Sequence, residues 1–473
     1  HVRSQPSHTL VRATPDLRQD FRSERLDLAN DLSLMWRRGL RVFRLQSSIA
    51  AGLLPADRLT ITAADLSSRT QRVAGRSLYT RHTTSFVKGF NAYANVRFDL
   101  TLETEHDRIE TDRTEDSLST SAANRNHGYR LAPLVTSAYT YARGPFHLSL
   151  DLPLQYLHLR YADDVRAETF RHDRLYINPR LSLKYTATPA LNFSLGGGVS
   201  HATGDILSFV RSPIRRSYNR VEGGASGILA HRRTANLSAS YMYRHTMEGL
   251  FSSLFLRYSR TRHNVLRGIN ITPDGALSTL SQGATTYTDR YGADFYLAKN
   301  VHPWHTTFAL NAGYTAYRSE TLRQGRSLAY SGSLLSVYPT VHLRSLAWLS
   351  VRVRGIVERS TRWADLPAAN ASAHLNTWGA EADVSVLPIE NLELFYRLDY
   401  LSLPVEGGPR LARCFMDAGV RCQPVRRVEL ELTVQNLTNA DRYTEIRYVD
   451  ADLFTTSFRL RPLHAVLTLK AAF

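Results

Sequence analysis

The sequence predicts an all-β fold, a single large antiparallel transmembrane β-barrel of about 20–22 strands. Three observations carry this. Apolar residues recur at every second position in segment after segment, short connectors alternate with long polar stretches, and the alternating segments run to about 10–14 residues where soluble sheets use five or six.

The alternation is first legible at Leu26, Leu28, Leu32, Leu34 and Trp36, then at Val96, Phe98, Leu100 and Leu102. Its clearest instance is LSLDLPLQY at 148–156, where Leu148, Leu150, Leu152, Leu154 and Tyr156 share one face of a strand. It continues at Leu175, Ile177, Leu181, Leu183 and Tyr185, at Leu237, Ala239, Tyr241 and Tyr243, and at Phe308, Leu310, Ala312 and Tyr314. Val351, Val353, Val384 and Val386 extend it, followed by Leu392, Leu394, Tyr396 and Leu398 and by Val428, Leu430, Leu432 and Val434. Helical spacing is nowhere sustained beyond about two turns.

Connectors decide between a soluble sandwich and a membrane barrel. RRG (37–39), RGP (143–145), ATPA (187–190), NVHP (300–303) and PIEN (388–391) are short, whereas 53–76, 106–127, 202–231, 263–287 and 403–426 are long and polar. Short turns on one rim with long loops on the other are the pattern of an outer-membrane barrel. Between the apolar positions lie charges: Asp27 and Asp31, Arg97 and Asp99, Arg180 and Lys184, Arg352 and Arg354, Glu381 and Asp383, Glu429 and Glu431. A barrel of this size places them in a lumen too wide for side chains to fill. Aromatic residues at strand ends, among them Trp36, Tyr139, Tyr141, Trp304, Trp348, Trp378 and Tyr400, fit an interfacial girdle.

Composition agrees. Of 473 residues 43% are hydrophobic and 21% charged, and 24 Tyr and 18 Phe exclude a disordered polyelectrolyte. No apolar run approaches the ~18 residues of a membrane helix. The 59 basic and 42 acidic side chains leave a net charge of +17, supplied mostly by Arg, since only Lys88, Lys184, Lys299 and Lys470 are lysines. Those Arg residues are scattered and interleaved with acids, with no basic face or module, which argues against nucleic acid as a partner.

The search for chemistry predicts no enzyme, no metal site and no cofactor. The 17 His contain no H-E-x-x-H, the two Cys stand as one C-x7-C unit without further ligands, and Gly196, Gly197 and Gly198 lie in a strand pattern rather than ahead of a helix. Such glycines ease curvature or admit another backbone. The carboxylates at i, i+2 read as lumen acids rather than a glycosidase pair.

Three segments resemble TonB-dependent outer-membrane receptors, in particular the subset with a carboxypeptidase-regulatory-like N-terminal domain. FRLRPLHAVLTLKAAF at 458–473 is similar to their terminal strand, with Leu467, Leu469, Ala471 and Phe473 as the barrel-assembly signal. VQNLTNADRY at 434–443 is similar to the segment they carry near the penultimate turn. RHTMEGLFSSLFLRYSRTRHNVL at 244–266 resembles one of their hairpins.

The resemblance implies a receptor in the Gram-negative cell outer membrane that captures a scarce, bulky nutrient on its outer loops and imports it when TonB pulls on a plug. Family members begin with a signal peptide, often a small β domain, and then a plug. No such segments are recognised here, so residues 1–473 are expected to be the barrel domain of a longer receptor. Implied partners are TonB through the plug, the barrel-assembly machinery, outer-membrane lipid and lipopolysaccharide, and a surface lipoprotein. A passive porin-like channel and a structural or adhesive barrel stand as alternatives.

Two site expectations follow. Cys414 and Cys422 fall in a polar stretch at the cell surface, an oxidising location, and are expected to form a disulfide across a loop. RSPIRRSYNR at 211–220 offers Arg211, Arg215, Arg216 and Tyr218 to an anionic or aromatic ligand, or alternatively to lipopolysaccharide phosphates. The acids of 103–127, interspersed with Arg, read as a surface salt network.

Overall fold

Alternating side chains give a sheet with one apolar and one polar face, and in a membrane barrel the apolar face meets lipid. A computed structural model of the chain has that form. It describes residues 2–14, 17–39, 41–62, 68–115, 123–217, 220–222, 227–271, 277–365, 372–404, 410–425, 427–449 and 452–471.

The strands are β1 (Val2–Thr14), β2 (Leu17–Arg38), β3 (Arg41–Thr62), β4 (Ser68–Gly89), β5 (Ala94–Glu115), β6 (Asn124–Arg143), β7 (Phe146–Asp163), β8 (Glu168–Ile177) and β9 (Arg180–Thr188). Then come β10 (Leu191–Thr203), the short β11 (Ile214–Ser217) and β12 (Arg220–Glu222), β13 (His231–His245), β14 (Leu250–Ile271), β15 (Leu277–Val301), β16 (Thr306–Arg323) and β17 (Arg326–Leu346). The remainder are β18 (Leu349–Ala364), β19 (Ser372–Ile389), β20 (Leu392–Leu403), β21 (Leu411–Val425), β22 (Val428–Gln435), β23 (Arg442–Val449), β24 (Asp452–Arg459) and β25 (His464–Ala471).

Each long strand pairs antiparallel with the next, from β1–β2 through to β22–β25. β8 and β9 are two halves of one ladder position, since β7 pairs with β8 through Leu154↔Ile177 and with β9 through Leu150↔Leu181. Proline explains the break: Pro179 has no N–H to give the ladder. Its carbonyl instead accepts the Val199 amide, and the Asn178 side chain accepts that of His201. A Cβ on Gly198 would stand 2.7 Å from the Pro179 oxygen, so glycine admits this close approach. Counted this way the described residues form a ladder of about twenty strands, within the predicted range; an even count leaves the first and last strands antiparallel, as barrel closure requires.

The structure corrects the loop expectation. The polar stretches 53–76 and 263–287 are mostly strand, with β3, β4, β5 and β14 each 22 residues long. About 9–11 residues cross a bilayer. Roughly half of each such strand therefore stands beyond the lipid, where its outer face is polar and imitates a loop in sequence.

The height of the lipid band can be read on β7. Leu150, Leu152, Leu154 and Tyr156 are exposed on the outer face. From Leu157 the phase inverts: His158 and Arg160 point outward while Leu157, Leu159 and Tyr161 are buried on the inner face. β14 changes at the same level, from Leu256 and Tyr258 to Arg260 and Arg262. At the opposite rim, exposed Trp36, Trp304 and Trp348 lie at the short turns, as an interfacial girdle would.

The buried residues Leu157, Leu159, Tyr161, Tyr176 and Ala132 form the largest apolar cluster together with Ile206, Phe209 and Leu229. The last three belong to the connection between β10 and β13, which folds back against the inner wall. We call residues 204–230 the strap.

Candidate ligand-binding site

Apolar anchors and amide clamps hold the strap. Ile206 and Phe209 lie on a single 3₁₀ turn and pack on β6, β7 and β8, while Val210 and Ile214 pack on Val73 of β4. Each such burial contributes about 1.5–3 kcal/mol.

Three side-chain amides then bind strap backbone as a neighbouring strand would. Gln71 Nε2 donates to the Arg215 carbonyl (2.9 Å) and its Oε1 accepts the Arg215 N–H (2.8 Å). Asn124 does the same to Ser212, at 3.0 and 2.9 Å. Asn264 donates to the Leu229 carbonyl (2.8 Å) and accepts the His231 N–H (2.6 Å). Asn and Gln each carry one acceptor and two donors, so one residue satisfies both main-chain groups of a loop that has left its ladder. At the base, the Gly204 N–H donates to the Ala230 carbonyl (2.6 Å); a Cβ on Gly204 would collide with Ser208.

Beside the strap's base the inner wall opens into a cavity of about 740 Å³, reached from the lumen. Thr203, Gly204, Ala230 and His231 form one side, and strands β13 to β17 the other. Arg232, Arg267 and Arg290 line it, and none has an ion-pair partner among the described residues. Their guanidinium groups, after burial, hold His263 below its ordinary pKa, which keeps that imidazole neutral. Burial and Arg174 likewise push His231 down to about 4. Thr288, Thr315, Ser319 and Tyr317 add neutral hydrogen-bonding groups, and Glu320 is the one acid of the lining.

The wall that continues from β18 to β25 is charge-balanced at the following positions. Arg352 pairs with Asp383 (2.5 Å) and Arg354 with Glu381 (3.4 Å). Arg421 meets Glu393 (2.8 Å), Glu431 (3.0 Å) and Glu429 (3.6 Å), and Lys470 meets Glu429 (2.9 Å). Arg352, Arg354, Glu381, Asp383, Glu429 and Glu431 are among the charges expected to face the lumen, and each of these acids has a cation across the ladder. Around Arg232, Arg267 and Arg290 the described residues place no such carboxylate partner, and the resulting field favours an anion.

A second cluster lies where the strap meets β5. Burial, then Glu105 and Asp205, raise the Asp107 carboxyl to about 7, with Arg130 opposing. Elsewhere in 103–127 three acids are paired with arginines as expected: Glu103 with Arg81 (3.4 Å), Glu105 with Arg130 (3.5 Å) and Glu110 with Arg108 (2.6 Å).

The predicted loop ligands fare differently. Arg211 is committed to Glu168 at 2.7 Å. Arg215 is held through its main chain by Gln71, Arg216 is exposed on the strap, and Tyr218 lies outside the described residues. None of them lines the cavity. The disulfide expectation is overturned: Cys414 and Cys422 are free and lie on the single strand β21. Eight positions at ~3.3 Å each separate them by about 26 Å, far beyond disulfide reach. Leu467 and Leu469 are exposed on the outer face of β25, opposite Leu432 and Leu430; Ala471 pairs with Val428, and Phe473 lies outside the described residues.

The segment 434–443 acquires a structural role. Asn436, at φ 57°, donates to the Ala440 and Arg461 carbonyls and accepts the Ala440 N–H, while Asn439, at φ 50°, accepts that of Leu463. Asn tolerates this left-handed conformation better than most residues. The two asparagines tie both ends of the excursion carrying the β23–β24 hairpin.

No family model and no curated protein matches the sequence. Solved structures do. The chain is similar to the ferric citrate transporter FecA in its unliganded form, with a TM-score of 0.50 and 11% identity over 96% of this chain and 62% of that one. It is also similar to the ferric yersiniabactin uptake receptor FyuA from Yersinia pestis, with a TM-score of 0.41 and 12% identity over 99% and 78%. The chain spans less than two thirds of the length of the first. The likeness to the first shows a shared fold, the large all-β barrel.

Proposed function

We propose that residues 1–473 are the barrel domain of a longer outer-membrane receptor that imports a bulky anionic nutrient through its lumen, driven by TonB acting on a plug. The observation that carries this reading is the cavity lined by Arg232, Arg267 and Arg290, whose charges have no carboxylate partners among the described residues. Arginine forks suit carboxylate, phosphate or catecholate oxygens, and the bordering Tyr317 suits an aromatic scaffold. The barrel fold and the three resembling segments support the setting. The described strap residues pack on the inner wall, so a ligand seated against Gly204 and Ala230 would be in position to bias whether the strap stays docked.

The test is uptake in the native host. A deletion strain complemented with the full-length gene should accumulate an anionic metal chelate only while the inner-membrane proton gradient is intact. Replacing Arg232, Arg267 and Arg290 together by Gln should abolish that uptake and leave the amount of folded barrel in the outer membrane unchanged. Gradient-independent accumulation would establish a passive pore, and no accumulation of any solute a structural barrel.

A further inference from the structure

At the upper end of β6 two asparagines share the inner face, and only one of them is satisfied. Asn124 bonds Thr111 and the main chain of Ser212. Asn126 lies two residues on, opposite Ile109 of β5 and Asp163 of β7. Its side chain is almost wholly buried (2% exposed), and its Oδ1 has no hydrogen-bond partner among the described residues. A buried amide oxygen without a donor is costly, and a donor from outside the chain would relieve that cost.

Asn126 forms the floor of a cavity of about 400 Å³ between the strap and the β7–β8 hairpin. No residue of this cavity also lines the arginine-rich one. Phe170, Phe209 and Tyr161 make a continuous aromatic wall, with ring centroids 4.8 Å apart for the first two and 4.6 Å for the last two. Gly128 lets the Tyr161 ring lie across β6, since a Cβ there would stand 2.3 Å from it. Beside the floor, Asp163 is already engaged, accepting from Arg166 Nη1 (2.6 Å) and from the Val165 N–H (3.0 Å). Glu168 and Arg211, paired at 2.7 Å and both about half exposed, form the rim. These charges cancel in pairs, and what remains unmet is one neutral acceptor beside an aromatic surface.

We propose that this cavity binds a short peptide, whose main-chain N–H donates to Asn126 Oδ1 and whose apolar or aromatic side chain stands on Phe170 and Phe209. The strap shows the same pairing: Gln71, Asn124 and Asn264 each use an amide oxygen to accept a main-chain N–H. Asn126 offers that group from the same wall with nothing bound to it. A neutral donor fits this floor better than an ammonium group, because the carboxylate at that depth is matched by Arg166. A cavity of about 400 Å³ is about 7 Å across, the reach of about two extended residues. The site is independent of the anion reading of the arginine-lined cavity.

The full-length receptor, purified in detergent, is titrated with N-acetylphenylalanine methylamide and binding is read by ligand-observed NMR. Two further probes each replace one N–H by an ester oxygen: N-acetylphenylalanine methyl ester and O-acetylphenyllactic acid methylamide. The diamide should bind, and the ester lacking the recognised N–H should bind about tenfold more weakly. Asn126→Ala should lose the same factor for the diamide and nothing further for that ester, since both changes remove one bond. Phe170→Ala should weaken all three probes. Because Asn126→Ala deletes an unmet group, its heat-dependent gel mobility and the exchange of the Ser212 amide should match wild type. The variant Arg232→Gln/Arg267→Gln/Arg290→Gln should bind the diamide as wild type does. Absence of diamide binding, equal binding of all three probes, or full affinity in Asn126→Ala overturns the proposal. Loss of diamide binding in the arginine variant would assign the probe to the other cavity and overturn it equally.

Discussion

Asn124 gives the sharpest test of how the strap is held. Its side chain is almost wholly buried (1% exposed) and donates to the Ser212 carbonyl (3.0 Å) and to Thr111 Oγ1 (2.6 Å), while accepting the Ser212 N–H (2.9 Å). Asn124→Ala removes all three bonds and leaves both main-chain groups of Ser212 without this partner. A buried group left without a partner costs about 1–3 kcal/mol, and part of that is recovered when water enters a loosened strap. The docked state should lose about 2–3 kcal/mol, which raises the open fraction roughly 30- to 150-fold. Amide hydrogen exchange on the purified protein reads this directly: Ser212 and its neighbours should exchange faster by that factor, with strands β16 to β18 unchanged. Asn124→Asp keeps an acceptor for the Ser212 N–H but gives up both donations, and should fall between the two. If the strap amides of Asn124→Ala exchange as in the wild type, the clamp contributes nothing and the reasoning fails.

Further outcomes follow from the same geometry. Because the Asp107 carboxyl sits at about 7 when folded, against 3.8 ordinarily, the folded protein holds a proton that the unfolded chain releases, so strap protection should be greatest at low pH and decline as pH rises toward about 7. Asp107→Asn should remove that dependence, as exchange rates at pH 5 and pH 8 would show. Arg421→Ala leaves Glu393, Glu429 and Glu431 facing one another; since all are partly exposed the cost should be only about 1 kcal/mol, seen as a small drop in the heat-modification midpoint, and Arg421→Glu should cost more. Both cysteines should react with a thiol reagent after denaturation without reductant, and Cys414→Ser should leave non-reducing gel mobility unchanged.

Much of the barrel was legible because lipid contact forces strict parity. Leu148 to Tyr156 could be read as a strand without further information, and every short connector named from sequence falls on one rim. The signal weakens where lipid ends. Tyr156 and Leu157 are adjacent apolar residues that break the alternation, and that doublet marked the point where the inner face takes over the apolar positions. Above it, polar outward side chains imitate loops, which is why 403–426 reads as a loop and its cysteines as bridgeable. The cavity was hidden for a different reason. Arg232, Arg267 and Arg290 lie on three strands, and only the ladder register brings them around one space. Nor does any sequence pattern distinguish the clamping amides of Gln71, Asn124 and Asn264 from ordinary surface residues.

On the strap those amides grip main-chain atoms, and a peptide group is the same whatever side chain it bears. The clamps themselves therefore tolerate a change of side chain, provided the N–H and carbonyl keep their places, although at Ser212 the buried hydroxyl that accepts from Arg166 (2.8 Å) would be lost. A proline at Ser212 or Arg215 would be the exception, since it removes the donated hydrogen. Sequence can therefore diverge along the strap more readily than at Gln71, Asn124 and Asn264, whose side chains do the gripping.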